Sequence, residues 1–306
     1  MSRPAYIASN LAKNALVPIA WRLRPDRVAL GMEGDPELVL KTLDWFVPGL
    51  RALGVESARD LDVLELGPGR TPDVMAAFVL AGARSAVGVD VTVEFLPPGW
   101  DSPAAYRPLV DALSGPSGAE FRSALGLTPE GLGERLGQLD GQPWPVRMES
   151  YDGEHIPLAD SSVDLVLSKS VLEHVRPNQV RPLLAEMHRV LRPGGAMVHM
   201  VDLRDHMHIE GDETVHGDWL DALTYPEWLF RAMFSKRTTS INRLRSSEWK
   251  ALVATDDWSI EQWEPMRFPL PHGFDKSRLE SRWRGLPDDE LGIGQIRFAA
   301  RAPAGA

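Results

Sequence analysis

Two carboxylates frame the stretch of this sequence best suited to holding a ligand. Glu65 stands in the apolar run Val63-Leu64-Glu65-Leu66, and Asp90 ends the run Val87-Gly88-Val89-Asp90. Between them lie Gly67-Pro68-Gly69-Arg70 and a helix-like segment. Strand, glycine turn, helix, strand and acid, in that order, make a mononucleotide-binding unit. Gly67 and Gly69 have no Cβ, so the backbone there can come close to a ligand. Asp90 lies 25 positions after Glu65, at a strand tip where a carboxylate accepts both hydroxyls of a ribose. An adenosine-bearing cofactor is the expectation.

The densest polar cluster comes later: Asp202, Asp205, His206, His208, Glu210, Asp212 and His216. It follows an apolar run at 196–201, and so falls on the sheet edge where open α/β folds bind ligands. Three readings stand. His206 is a general base oriented by Asp202 or Asp205; His206, His208 and Glu210 converge on a divalent metal; or the segment is a solvated loop. His174, just after another apolar run, either faces an acceptor or caps a helix. Trp100, Trp144, Trp219 and Trp228 either line an apolar acceptor pocket or pack loops onto the body. Asp164, inside an apolar strand, reads as structural.

Composition narrows the class. The 306 residues carry a net charge of −10, which disfavours a nucleic-acid partner. There is no cysteine, which removes disulfides, thiolate metal sites and a cysteine nucleophile. No apolar run reaches membrane-spanning length and the N-terminus lacks a secretory pattern, so no membrane partner is expected and the cytoplasm is the expected location. Oligomeric state is not written in the sequence.

The elements that must position these groups follow from periodicity. Strands are expected at 62–66, 86–89, 146–149, 163–168, 196–201, 258–263 and 295–300, and helices at 36–46, 71–80, 178–191 and 246–254. Pro48 is expected to bend or end the first of those helices. Residues 1–60 read as an N-terminal helical segment ahead of one α/β domain over 61–301. Two stretches interrupt the rhythm, at about 91–145 and 203–245, and read as cap insertions over the site. Arg192-Pro193-Gly194-Gly195 reads as a helix stop and turn.

Taken together, the motifs resemble those of class I S-adenosylmethionine-dependent methyltransferases of the small-molecule type. Glu65-Leu66-Gly67-Pro68-Gly69 is similar to the family's first motif, although Thr71 stands where a third glycine is frequent. Asp90 matches the ribose acid, the segment from Tyr151 to Val166 matches the adenine-contacting segment, and Ser170-Val171-Leu172-Glu173-His174-Val175 and 186–195 complete the pattern. The resemblance implies a Rossmann-like seven-stranded mixed sheet with helices on both faces and an antiparallel last strand. It also implies S-adenosyl-L-methionine as cofactor and S-adenosyl-L-homocysteine as product. Glu65, Gly67 and Gly69 would then line the methionine and ribose, Asp90 the ribose, Asp152 and Gly153 the adenine, and Ser168 the methionine portion. His206, His174 and Asp205 are the candidate catalytic residues. The acceptor is expected to be a small molecule, with O-methylation ahead of N- and C-methylation, on a specialised metabolite or a sugar-bearing compound. The alternatives are a non-methylating cofactor-binding role and methylation of a protein or RNA. A narrower set of bacterial methyltransferases is resembled at 202–206, 242–246 and 289–291.

Overall fold

The computed structural model describes residues 2–17, the backbone of 18–23, and residues 35–69, 71–91, 93, 96–206, 218–236, 240–254 and 258–303. Seven strands form one sheet: β1 (Asp62–Leu66), β2 (Ser85–Asp90), β3 (Val146–Ser150), β4 (Val163–Lys169), β5 (Leu191–Asp202), β6 (Ser259–Arg267) and β7 (Ile293–Arg301). Their order across the sheet is β3-β2-β1-β4-β5-β7-β6. The pairs from β3 through β5 are parallel, and β7 runs antiparallel to both β5 and β6. The expected mixed sheet with an antiparallel last strand is therefore present. Because the parallel strands are covered on both faces, they read as continuous apolar runs.

One face is covered by α2 (Pro36–Ala52) and α3 (Asp73–Leu80), while α1 spans Arg3–Leu23. Asp35 caps α2, its carboxylate accepting the Glu37 N–H at 3.0 Å. Pro48 does not end this helix, which runs on to Ala52. A mid-helix proline costs about 3 kcal/mol. Val39, Leu40, Leu43, Phe46, Val47 and Leu50 are all buried, at roughly 2 kcal/mol each relative to exposure, so packing outweighs the proline.

Residues 91–145 do not hang above the sheet as a separate cap. Their helices, α4 (Arg107–Ser114), α5 (Ala119–Ala124) and α6 (Pro129–Leu139), bury Leu109, Leu113, Phe121, Leu132 and Leu136 in the same core as Phe46 and Phe78. Trp100 and Trp144 pack on that core, and Trp144 stacks on Tyr106 at 4.9 Å. The opposite face is covered by α7 (Pro177–Val190) and α9 (Ser246–Ala254), while α8 (Glu227–Phe234) lies in a separate cluster. On that opposite face Leu184, Met187, Trp249 and Val253 pack against Val166, Met197 and Phe298.

The first sixty residues do not act as one segment either, since α1 leaves the body and packs on α8, with Tyr6 among Phe230, Met233 and Phe234. Arg192-Pro193-Gly194-Gly195 is drawn into the start of β5, with a register shift against β4. Asp164 is structural: it accepts the Asp62 N–H at 2.8 Å and pairs with Arg192 at 2.7 Å, at the sheet end opposite the expected site. The link from β6 to β7, residues 268–292, carries α10 (Ser281–Arg284) and α11 (Asp288–Leu291).

Candidate active site

At the carboxyl end of β1 the chain turns through Gly67 (φ 63) and Gly69 (φ 73), left-handed conformations that favour glycine. A Cβ on Gly67 would stand 2.6 Å from a Val171 methyl, so the turn is pressed against the loop after β4. Gly67 donates to Val89 O at 2.9 Å, and Gly69 donates to Asp90 Oδ2 at 3.1 Å. The turn and Asp90 are thus fixed to each other. Tyr151 donates to Asp90 O at 2.9 Å, which brings the next turn alongside. There Asp152 Oδ1 accepts the N–H groups of Glu154 and His155, which hold its carboxyl below the usual range, and Gly153 adopts φ 88.

Glu65 is 5 % exposed and its Oε2 has no hydrogen-bond partner. Burial first, then the nearby Asp73 and Asp90, push its carboxyl up to about 8, against the opposing influence of Lys169. An unpaired buried carboxyl beside a glycine turn suits a ligand that brings positive charge. The set fits S-adenosylmethionine: Asp90 would accept the ribose hydroxyls and Glu65 would face the cationic methionine end. When bound, the cofactor supplies a methyl group already activated by its sulfonium, so the protein has to align the partners and exclude water.

Ser168 departs from its expected role. It is fully buried, and its hydroxyl meets His199 Nδ1 at 2.7 Å, within the sheet. Side chains alternate along a strand, so the strand tip is served instead by Lys169. Burial lowers the pKa of Lys169, opposed by Glu173, Asp202 and Glu65.

Beyond β4, Ser170 (φ 55) turns the chain into a short helical turn, Leu172–His174. His174 Nδ1 is held by Ser240 O at 2.8 Å, and burial lowers its pKa. Its ring lies 5.0 Å from that of His206. His206 follows β5, with Nε2 at 3.9 Å from both Glu173 Oε1 and Asp202 Oδ2. Burial, and then His174, bring its pKa down to about 4, so the imidazole is neutral at pH 7. Asp202 accepts from Arg204 Nε at 2.9 Å and Nη2 at 2.7 Å and from Gln295 at 3.2 Å.

Asp202, Arg204 and His206 open onto a cleft of about 400 Å³, lined also by Asp205, Asp218, Trp219, Phe268 and two prolines. Of the four tryptophans only Trp219 lines this cleft, while Trp228 is on the surface. His208, Glu210, Asp212 and His216 lie outside the described residues; among those described, no three acids or histidines gather to hold a metal ion.

Glu173 went unnoticed in the sequence as a site residue, although an acid inside Val171-Leu172-Glu173-His174-Val175 at a strand end was a visible signal. Asn242 and Arg245 were missed as organisers. Asn242 Nδ2 donates to Leu172 O and Val175 O, at 2.9 and 3.0 Å. Arg245 is fully buried and donates to Leu203 O at 3.0 Å, Leu291 O at 3.1 Å and Ile293 O. The segments 202–206, 242–246 and 289–291 therefore meet behind the cleft.

A family model described as a methyltransferase domain matches residues 127–199. Two solved structures are similar in outline. One is Burkholderia thailandensis 1,6-didemethyltoxoflavin-N1-methyltransferase, solved with 1,6-didemethyltoxoflavin and S-adenosylhomocysteine (17% identity, TM-score 0.46, 99% of this chain and 92% of that one). The other is an S-adenosylmethionine-dependent methyltransferase from Mesorhizobium loti (18% identity, TM-score 0.45, 84% and 97%). No curated protein matches the chain. The methyltransferase-domain match falls within this Rossmann-like seven-stranded sheet and supports an S-adenosylmethionine-dependent methyltransferase with S-adenosylmethionine as its cofactor.

Proposed function

We propose that the protein transfers the methyl group to a hydroxyl of a small-molecule acceptor bound in the cleft beyond β5, with His206 as general base. The observation that carries this reading is a neutral imidazole set in the wall of a cleft of about 400 Å³, a volume suited to a small molecule. A hydroxyl is a poor nucleophile until its proton leaves, whereas an amine needs no base. Asp205, 6 % exposed and in the same wall, serves acceptor orientation, and His174 braces His206 from behind. Trp219 and Phe268 give the cleft an aromatic side suited to a ring-bearing metabolite. The test is a screen of hydroxyl and amine acceptors with methyl-labelled cofactor, run on the wild type and on His206→Asn. A hydroxyl acceptor, with turnover lowered on the order of 100-fold in the variant, supports the reading; turnover of an amine at an unchanged rate in the variant overturns it.

A further inference from the structure

One buried acid behind the cleft has no part in the reading above. Glu173 is 1 % exposed, and no side chain hydrogen-bonds its carboxyl, which has only the backbone N–H groups of Glu173 and Asp202 nearby. Burying a polar group that is not fully paired costs on the order of 1–3 kcal/mol, so an acid kept there without a side-chain partner is poorly explained by stability. Its backbone is firmly placed: Asn242 N–H donates to Glu173 O at 2.6 Å, while the Asn242 side chain holds the carbonyls on either side of it. The carboxyl oxygens have no exposed surface, so a molecule in the cleft does not touch them. Glu173 must act through a neighbour.

The geometry identifies the neighbour. Oε1 is 3.9 Å from Nε2 of His206, a separation that a small side-chain shift closes to a hydrogen bond, as ligand-free sites commonly require. The other groups around the pair are Lys169 from β4, His174 from the same turn, and Asp202 and Arg204 from the end of β5. Asp202 is already engaged by Arg204 and Gln295, and His174 Nδ1 by Ser240 O.

We propose that Glu173 is the positioning residue of His206, the two forming one proton-sharing pair that decides when the imidazole lone pair is available to the acceptor. The inference rests on the reading of His206 as base. Burial, and then Asp202, push the Glu173 carboxyl well above its usual range, while nearby backbone N–H groups and Lys169 oppose this. While Glu173 holds its proton, its O–H donates to Nε2 and the ring hydrogen stays on Nδ1. When the acid proton leaves to solvent, the ring hydrogen moves from Nδ1 to Nε2, where the Glu173 carboxylate accepts it, and Nδ1 bears the lone pair. Nδ1 then accepts the proton of the acceptor hydroxyl, whose oxygen keeps the bonding electrons, and the resulting imidazolium faces the Glu173 carboxylate.

The test needs no acceptor. Side-chain NMR of His206 is followed against pH in the protein bound to S-adenosylhomocysteine, in wild type and in Glu173→Gln, which keeps the shape of the protonated acid. In the wild type the ring is expected to report a second step at higher pH in addition to its own acid titration, and in Glu173→Gln only the acid one. Ring titrations that are superimposable in the two proteins, with S-adenosylhomocysteine still bound by both, overturn the pairing. Failure of the pairing is distinct from failure of the base: if His206→Asn abolishes hydroxyl methylation while the ring titrations coincide, His206 acts without Glu173.

Discussion

The first consequences belong to single side chains. Glu65 holds its proton at pH 7 because burial and two neighbouring acids push it up to about 8. A cation bound beside it favours the anion, so cofactor binding expels the proton. S-adenosylmethionine affinity is then expected to rise by up to about tenfold per pH unit below 8, and to level off above it. Calorimetry at pH 6, 7 and 8 reads this, and Glu65→Gln is expected to flatten the dependence. A second consequence concerns Gly67. A Cβ there meets Val171 at 2.6 Å on a backbone at φ 63. Gly67→Ala is expected to weaken cofactor binding and to cost about 1–3 kcal/mol of stability, read by the shift in Tm. The positions of Asp90 and the turn glycines at strand tips were legible in the sequence, because an apolar run ending in a glycine turn or an acid marks a strand end. Ser168 was misassigned because a one-residue difference along a strand sends a side chain to the other face, and only the His199 contact shows which face it takes.

At the scale of elements, the segment 242–246 ties three loops together. Arg245 is buried with its guanidinium on three carbonyls from the ends of β5, α11 and β7. Burial lowers its pKa to about 10, so it remains charged at neutral pH. Arg245→Met removes the donors and leaves those carbonyls buried, and is expected to cost about 3 kcal/mol. A denaturant titration measures it, and the slope should be unchanged if the fold is kept. The sequence showed most of the strands, because doubly covered parallel strands leave unbroken apolar runs between Gly and Pro. It did not show where 91–145 would lie. Their Pro and Gly content looked like a cap, whereas the spacing of Leu109, Leu113, Leu132 and Leu136 buries them with α2 and α3. Pro48 misled for the same reason: local propensity lost to packing.

Across the whole molecule, buried titratable groups make stability depend on pH from both sides. His199 is fully buried and neutral, its pKa brought down to about 3 by burial. The unfolded chain binds a proton there below about 6.5 and the folded one does not, so stability is lost as pH falls from 6.5 toward 3. Glu65 acts oppositely: the folded protein keeps a proton between 4.5 and about 8 that the unfolded chain has released, so stability falls as pH rises through that window. The ligand-free protein is expected to be most stable in mildly acidic solution. The increase in Tm given by S-adenosylmethionine is expected to be larger at pH 8 than at pH 6, since the ligand removes the alkaline loss. Scanning fluorimetry across this range checks both limbs. No helix among the described residues is long and apolar enough to cross a membrane.

The account stands on the cradle formed by Gly67, Gly69 and Asp90. Calorimetric titration of the wild type and Asp90→Ala with S-adenosylmethionine, S-adenosylhomocysteine and NAD tests it most directly. Binding of the two sulfur compounds by the wild type, lost in Asp90→Ala and absent for NAD, is the predicted result. Binding of NAD alone, or sulfur-compound affinities indifferent to Asp90→Ala, would contradict it.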